Sequence, residues 1–294
     1  MTSAGTGSDA RRDRRGSARH VIRHLVRAPS TVLALLVLGT LGGTALAAPL
    51  VSPYDPLEQN MGDFLARPGP GHWCGTDQFG RDILARIIWG GRLTLQVGLI
   101  SVAIAALAGV TLGLSAGFYG GWPDLVIMRF IDLLLAFPSI LLALGVVAVL
   151  GGSLPNVMIA VGIAGVPQFT RVVRAAVLGA RGLPYVEAAR AVGAPERLIM
   201  WRHMLPNVLA PALVLGTTSA AAAIITGAAL SFLGLGVRPP APEWGAMLST
   251  GREYLRHAPW MSIFPGLAIM LAVVSINVVG DRLRDVLDPR LRLE

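Results

Sequence analysis

No lysine occurs anywhere in the 294 residues, and there is a single cysteine, Cys74. Charge is also scarce: Asp, Glu, Lys and Arg make up 14% of the chain, against roughly 25% in soluble domains. Each shortage excludes chemistry. Without lysine there is no P-loop, whose lysine reaches the phosphates, and no Schiff-base lysine or Ser–Lys dyad. One cysteine excludes an internal disulfide and any multi-cysteine zinc or iron–sulfur site. The abundant class is apolar: 53% of residues are hydrophobic and the mean hydropathy is +0.62. All 25 basic residues are arginine, and against 17 acids they leave a net charge of +8. That balance would suit nucleic acid, but the hydropathy argues against it and sets the arginines against a membrane instead.

A helix crosses the hydrocarbon core with about 20 mostly apolar residues. Six stretches qualify: about 30–50, 95–116, 131–150, 154–168 (extending to 178), 209–236 and 260–279. They are continuous runs of Leu, Ala, Val and Gly, without the alternation of a membrane barrel, so the expected class is an all-α integral membrane protein. Spans three and four are joined only by Gly151–Ser153 and read as a tight hairpin. Gly109, Gly113 and Gly117 recur at helical spacing. Close backbone approach between helices and the plain abundance of glycine in membrane helices account for them equally well.

Arginine placement sets the expected orientation. With the N-terminus inside, 18 arginines fall on the inner side and seven on the outer, so both termini are expected in the cytoplasm. The domain plan that follows is a basic tail over 1–29 and a first helix with an external segment over 30–92. A five-helix core over 93–280 and a cytoplasmic tail over 281–294 complete it. Arg-rich residues 11–27, an apolar stretch and Ala45-Leu46-Ala47 also have the layout of a cleavable signal peptide. The length of the stretch and the five spans after it favour an uncleaved helix. Arg11-Arg12 and Arg14-Arg15 read as part of a basic tail rather than a twin-arginine signal.

The longest inner connection, about residues 180–207, has helical punctuation. Pro184 suits a first helical position, and Glu187 lies in the first turn, where the helix dipole favours an acid. Tyr185, Ala188, Ala189 and Val192 repeat at i, i+3, i+4 and i+7. Gly193 stops this helix, Pro195 and Glu196 open a second, and Pro206 is expected to close it. A face built from alanines is a weak lipid anchor and a better seat for a groove on another protein.

Glu187-Ala188-Ala189, Gly193 and Leu205-Pro206 together resemble the EAA loop of ATP-binding-cassette (ABC) importer permeases. In that family the loop is the coupling helix that docks into the ATPase subunit. His203 stands where an apolar residue is usual, and Arg202-His203-Met204-Leu205-Pro206-Asn207 is similar to the peptide and nickel branch. The segments at 75–95 (GTDQFGRDILARIIWGGRLTL), 128–138 (MRFIDLLLAFP), 229–248 (ALSFLGLGVRPPAPEWGAML) and 280–290 (GDRLRDVLDPR) resemble the same branch. Ala85 and Thr94 depart from its usual serines, and Arg282 from its usual glycine. The resemblance runs from about residue 72 onward and is closest to the second permease subunit of dipeptide and oligopeptide systems. It implies a type I ABC importer permease fold in the cytoplasmic membrane of a bacterium. It also implies a second permease subunit, two ATPase subunits and an extracytoplasmic solute-binding protein. ATP and magnesium would then sit on the partner subunits, with no cofactor on this chain. The cargo would be peptides or a related solute such as a nickel complex. The coupling residues would be Glu187, Ala188, Ala189, Gly193, Leu205 and Pro206.

The remaining polar features have structural readings beside functional ones. Residues 75–92 read as an interfacial helix with Ile83, Leu84, Ile87 and Ile88 on one flank and Arg81, Asp82, Arg86 and Arg92 on the other. Arg129 and Asp132, spaced i, i+3 at the inner end of the third span, are positioned to pair. Pro138 predicts a kink just after them, which would shape either the helix or a transport path. Three prolines stiffen Arg238–Pro242, and Trp244, Tyr254 and Trp260 read as interfacial aromatics. The five histidines do not cluster, so no metal site is expected. A stand-alone secondary transporter or channel would show ionisable residues at mid-span, which are scarce. An intramembrane enzyme would need a Ser–His pair, and every histidine lies outside the apolar runs.

Overall fold

The computed structural model describes residues 28–287. The arginine-rich segment 11–27, the tail of the domain plan before residue 28, and Asp288, Arg290 and Arg292 lie outside the described residues. Among those described, five helices are individually long and apolar enough to span a membrane. They are α1 (Pro29–Leu46), α2 (Ile83–Tyr119), α5 (Leu154–Arg181), α7 (Glu196–Phe232) and α9 (Trp260–Leu287). Two shorter helices, α3 (Gly121–Leu135) and α4 (Ser139–Leu150), are long and apolar enough only when taken together. They meet at 92°. Two short helices lie outside the spans: α6 (Pro184–Ala191) and α8 (Trp244–Gly251).

The apolar run over 131–150 is therefore broken at the kink expected from Pro138, where hydropathy alone gave one continuous stretch. Proline is the cause. Pro138 has no N–H for a bond to the preceding turn, so α3 ends at Leu135 and Pro138 itself caps α4.

α2 and α5 form the spine. They run parallel, with Ser101 donating to the Met158 carbonyl at 2.9 Å near one end and Gly117 against Val177 at the other. The glycines are what permit this seam. A methyl group on Gly113 would stand 2.5 Å from the Thr170 carbonyl oxygen. Close approach, rather than abundance alone, accounts for the Gly109–Gly113–Gly117 repeat. α7 packs across both helices, and α9 packs on α7 and α1.

Two ends result. At one, here termed the collar, residues 52–82 and 238–258 connect the helices. At the other, the hairpin of α6 joins α5 to α7, with the start of α1 and the end of α9 on the same side. Of residues 75–92, expected as an interfacial helix, 75–82 are not helical and 83–92 are the opening turns of the 37-residue α2. Likewise 281–287, expected as tail, continue α9.

Candidate functional site

The hairpin is built from local rules that the sequence states openly. Leu183 is extended, and Pro184 enters as a first-turn residue of α6. The stop is a Schellman motif: Gly193 N–H donates to the Arg190 carbonyl and Ala194 N–H to the Ala189 carbonyl, at 2.9 and 3.1 Å. That closure needs a left-handed residue, and Gly193 has φ +78°.

The expected stop at Pro206 is absent. From Glu196 the chain continues through Pro206 into α7 without a break. Residues Ile199–Met204 widen into a π turn, in which Leu205 N–H reaches the Met200 carbonyl five residues back. The wider turn relieves the clash a proline ring makes with the carbonyl four residues before it. The second arm of the hairpin is thus the cantilevered end of a spanning helix.

Burial divides α6 into two faces. Val186 is fully buried with Ile199, Met200, Met204 and Val208, in the cluster that holds Val173 and Val177 of α5 and Leu114 and Phe118 of α2. Ala189, Ala194 and Leu205 pack against that cluster. Asn207 of α7 donates to the Tyr185 hydroxyl at 2.8 Å and to the His203 carbonyl at 2.6 Å. Outward lie Glu187, Ala188, Arg190 and Val192, with Val192 84% exposed. Leu198 and Trp201 are also exposed on the second arm. The narrow Tyr185–Ala188–Ala189–Val192 face is therefore split: Ala189 turns inward, while Ala188 and Val192 face outward with Glu187. Pro206 is exposed.

The other residues singled out by spacing lie on α3. Arg129 and Asp132 do not pair. Asp132 instead accepts from Arg171 of α5 at 2.7 Å. One turn on, Arg174 grips Asp124 through two bonds of 2.5 and 2.6 Å. Both acids of α3 reach a neighbouring helix, where geometry aligns a guanidinium with a carboxylate better than i, i+3 spacing does. Only Ile131 of α3 is buried, and these two ion pairs tie α3 to α5.

The collar buries a cluster whose Arg81, Asp82 and Arg86 the sequence reading set on a polar flank. Asp77, Arg81, Asp82 and Arg86 are all buried. Asp77 accepts from Arg81 Nε at 2.7 Å, with Arg86 Nε 3.6 Å away. Arg86 Nη1 donates to the Pro56 carbonyl at 3.0 Å and to Pro240 at 3.4 Å, tying both collar segments to α2. Asp82 caps α2 by accepting from Ala85 N–H at 2.6 Å, and it binds His72 Nδ1 at 2.8 Å. Glu243, also buried, caps α8 through Gly245 and Ala246 N–H and accepts from Thr94 of α2 at 3.2 Å. The signal for Asp82 was available, since an acid directly before an apolar periodic run is a capping pattern. Nothing local marks Arg86 or Glu243, whose partners lie on other segments. Burial and the nearby Asp82 push the Cys74 thiol up to about 11.

The family model described as binding-protein-dependent transport system inner membrane component matches residues 109–293. The dipeptide transport system permease protein DppC of Alkalihalophilus pseudofirmus is 46% identical over 274 residues, covering 93% of this chain and 90% of that protein. The di/tripeptide transport system permease protein DppC of Pseudomonas aeruginosa is 48% identical over 255 residues, 84% of each chain. The glutathione transport system permease protein GsiD of Pectobacterium atrosepticum is 45% identical, covering 93% of this chain and 91% of that protein. Among solved structures, the MetNI methionine ABC transporter in inward-facing conformations matches with a TM-score of 0.55 and 20% identity. It covers 68% of this chain and 96% of that one, a likeness of fold.

Proposed function

The chain belongs to the family of binding-protein-dependent transport system inner membrane components, and from that premise we propose that it carries peptides inward as one of two permease subunits of an ABC importer. Its partners are a second permease chain, two ATPase subunits and an extracytoplasmic binding protein that delivers the cargo. The permeases for dipeptides, di/tripeptides and glutathione among its relatives support a peptide cargo. The hairpin end faces the cytoplasm, a reading supported by the arginine bias, since 18 of 25 arginines fall in the segments that the sequence assigns to the inner side. With no lysine, the chain has no P-loop of its own, so nucleotide is bound and hydrolysed by the separate ATPase subunits.

The observation that carries this reading is the two-faced hairpin. Its inner face is core and its outer face presents Val192, Leu198 and Trp201 to the surroundings. An ATPase that grips the outer face moves a body fused to the bundle. Val186 and the Tyr185–Asn207 bond pass displacement to α5 and to the base of α7. The π turn lies where the hairpin arm becomes the spanning helix. Closure of the ATPases drives the bundle between inward- and outward-open states only through interactions that differ between those states, and the hairpin is where that difference is applied. Glu187, Ala188, Ala189, Gly193, Leu205 and Pro206 make up this coupling element, and none of them touches cargo. Arg129, Asp132 and Pro138 shape α3 and α4.

The test is coupling rather than insertion. Glu187→Lys and Gly193→Leu should insert and be purified in membranes, yet lose ATP hydrolysis stimulated by the loaded binding protein. Stimulation at the wild-type level in both variants would remove the hairpin from the coupling path.

A further inference from the structure

Midway along the bundle, where α2, α5 and α7 converge on the start of α4, there is an open cleft of about 110 Å³. Its lining is apolar except for hydroxyl and amide groups. Two of these are spent inside the protein: Ser101 donates to Met158 and Thr226 to the Ala222 carbonyl. The side chains of Ser139, Gln168 and Ser219 make no hydrogen bond among the described residues, and Ser139 and Gln168 are exposed.

An unpaired amide facing lipid tails is costly. The backbone at the cleft adds to the problem. Ser139 follows directly on the break at Pro138, and Gln168 follows Pro167, which interrupts the ladder inside α5. Irregular backbone at membrane depth is tolerated where it is buried in protein or lines a water-filled cavity. The contrast on the far side of the same two helices is sharp. There α4 and α5 form a groove of about 640 Å³ lined by Phe137, Leu141, Val149, Ile159 and other apolar residues only. The apolar groove suits hydrocarbon, and the polar cleft does not.

The geometry points to this cleft as a wall of the water-filled passage, with Ser139, Gln168 and Ser219 hydrogen-bonding the peptide groups of cargo in transit. The glutamine amide donates and accepts at once, as a peptide group does, so the two pair reciprocally. No charged, imidazole or sulfur side chain lines the cleft, so a metal would find only neutral hydroxyl and amide oxygens, weak ligands for a transition metal. A notch of this size takes one peptide group rather than a whole cargo, and the partner permease supplies the opposite wall. The cargo part of the inference rests on the peptide-permease reading, and the passage part does not.

The experiment uses the complete transporter, with both permeases, the ATPases and the binding protein, in proteoliposomes. In a Cys74→Ala background, Ser139→Cys, Gln168→Cys and Ser219→Cys are treated with a charged methanethiosulfonate, with and without nucleotide. Leu107→Cys, an exposed apolar position on α2, is the control. In parallel, Gln168→Leu and Gln168→Asn are assayed for dialanine uptake per ATP hydrolysed. The expected result is modification of the three cysteines at least tenfold faster than the control in one nucleotide state. Gln168→Leu should lower uptake per ATP about fivefold with binding-protein stimulation of the ATPase retained, and Gln168→Asn should restore most of it. Cysteines as slow as the control in both states overturn the passage. Reactive cysteines with wild-type uptake in Gln168→Leu overturn the peptide contact. A wild-type transporter that moves no dialanine overturns the contact together with the reading it rests on, while the cysteine rates still decide the passage.

Discussion

The collar and the hairpin use charge in opposite ways. In the collar, Asp77, Arg81, Asp82 and Arg86 are buried and bound to one another, to His72 and to backbone carbonyls. On the hairpin, Glu187, Arg190, Glu196, Arg197 and Arg202 are all exposed, and none forms an ion pair among the described residues. One end buries a charged cluster in its own fold, while Asp55, Glu58, Arg67, Arg252, Glu253 and Arg256 stay exposed around it; the hairpin buries no charge at all. The buried cluster of the collar ties its two segments to the start of α2. The hairpin is finished on its inner face alone, which is what a surface awaiting a partner requires.

The comparison can be broken most directly at Asp77. Asp77→Ala strands two buried guanidiniums without their acid, and removing one member of a buried pair costs about 3–5 kcal/mol. The expected result is a large drop in thermal unfolding temperature of the purified transporter, or loss of the chain from membranes. Asp77→Asn should fall between the two. A stability close to wild type in Asp77→Ala would mean that the collar is open to water and is not a sealed piece.

Cys74 probes the same seal without a substitution. Its thiol is raised from 9.0 to about 11, and the thiolate is the reactive form. At pH 8 that makes the thiolate roughly 100-fold scarcer than in an unperturbed thiol. Alkylation of the folded chain should be slower than that of the unfolded chain by about this factor, and it should accelerate steadily as pH rises toward 11. Equal rates in both states would contradict the buried environment.

These two ends also differ in how far the sequence announced them. The hairpin was legible because its signals are local: Pro184 at a helix start, Glu187 in a first turn, Gly193 at a left-handed stop. Two readings of it failed: the Tyr185–Ala188–Ala189–Val192 face, which burial splits, and Pro206, where the proline rule gave a stop and the π turn over 199–204 absorbed the ring instead. The collar was opaque because hydropathy counts a charge as surface. Arg86 is buried by Pro56 and Pro240, 30 and 154 residues away, and no window along the chain contains all three. The same distance effect redirected Asp132 from Arg129 to Arg171, 39 residues on. The spans sit between these cases. Apolar length found the helices, and Pro138 marked the kink, but nothing local in the sequence gives its 92° angle. The cleft at Ser139, Gln168 and Ser219 joins four helices and left no sequence pattern at all.

A smaller effect is expected at Gly193, where the hairpin has its own requirement. Alanine in the left-handed region costs about 1–2 kcal/mol. In Gly193→Ala this strain falls on the end of α6, because Val192 and Gly193 contribute nothing to the buried cluster. Global unfolding should move little. Amide hydrogen exchange at Val192, Gly193 and Ala194 should rise, since their bonds to Ala188, Arg190 and Ala189 close the helix. A global loss as large as that of Asp77→Ala would show that the hairpin shares the collar's cooperative unit, and the contrast between the ends would fail.

The least expected change in the chain's own stability comes from Val192→Ser, and it separates the ends most cleanly. Val192 is 84% exposed, so its methyl groups gain almost nothing from the folded chain, and such surface substitutions stay within about 0.5 kcal/mol. Burial of a valine by a partner is worth about 1.5–3 kcal/mol, equivalent to roughly 10- to 150-fold in affinity. Val192→Ser should therefore leave the unfolding temperature unchanged while the ATPase subunits dissociate at least tenfold more readily, measured by titrating them onto the purified permease pair. In the collar no such dissociation of effects is available, because every buried charge is already committed to the fold. Wild-type affinity in Val192→Ser would move the docking face to the second arm, where Leu198 and Trp201 are the remaining exposed apolar groups.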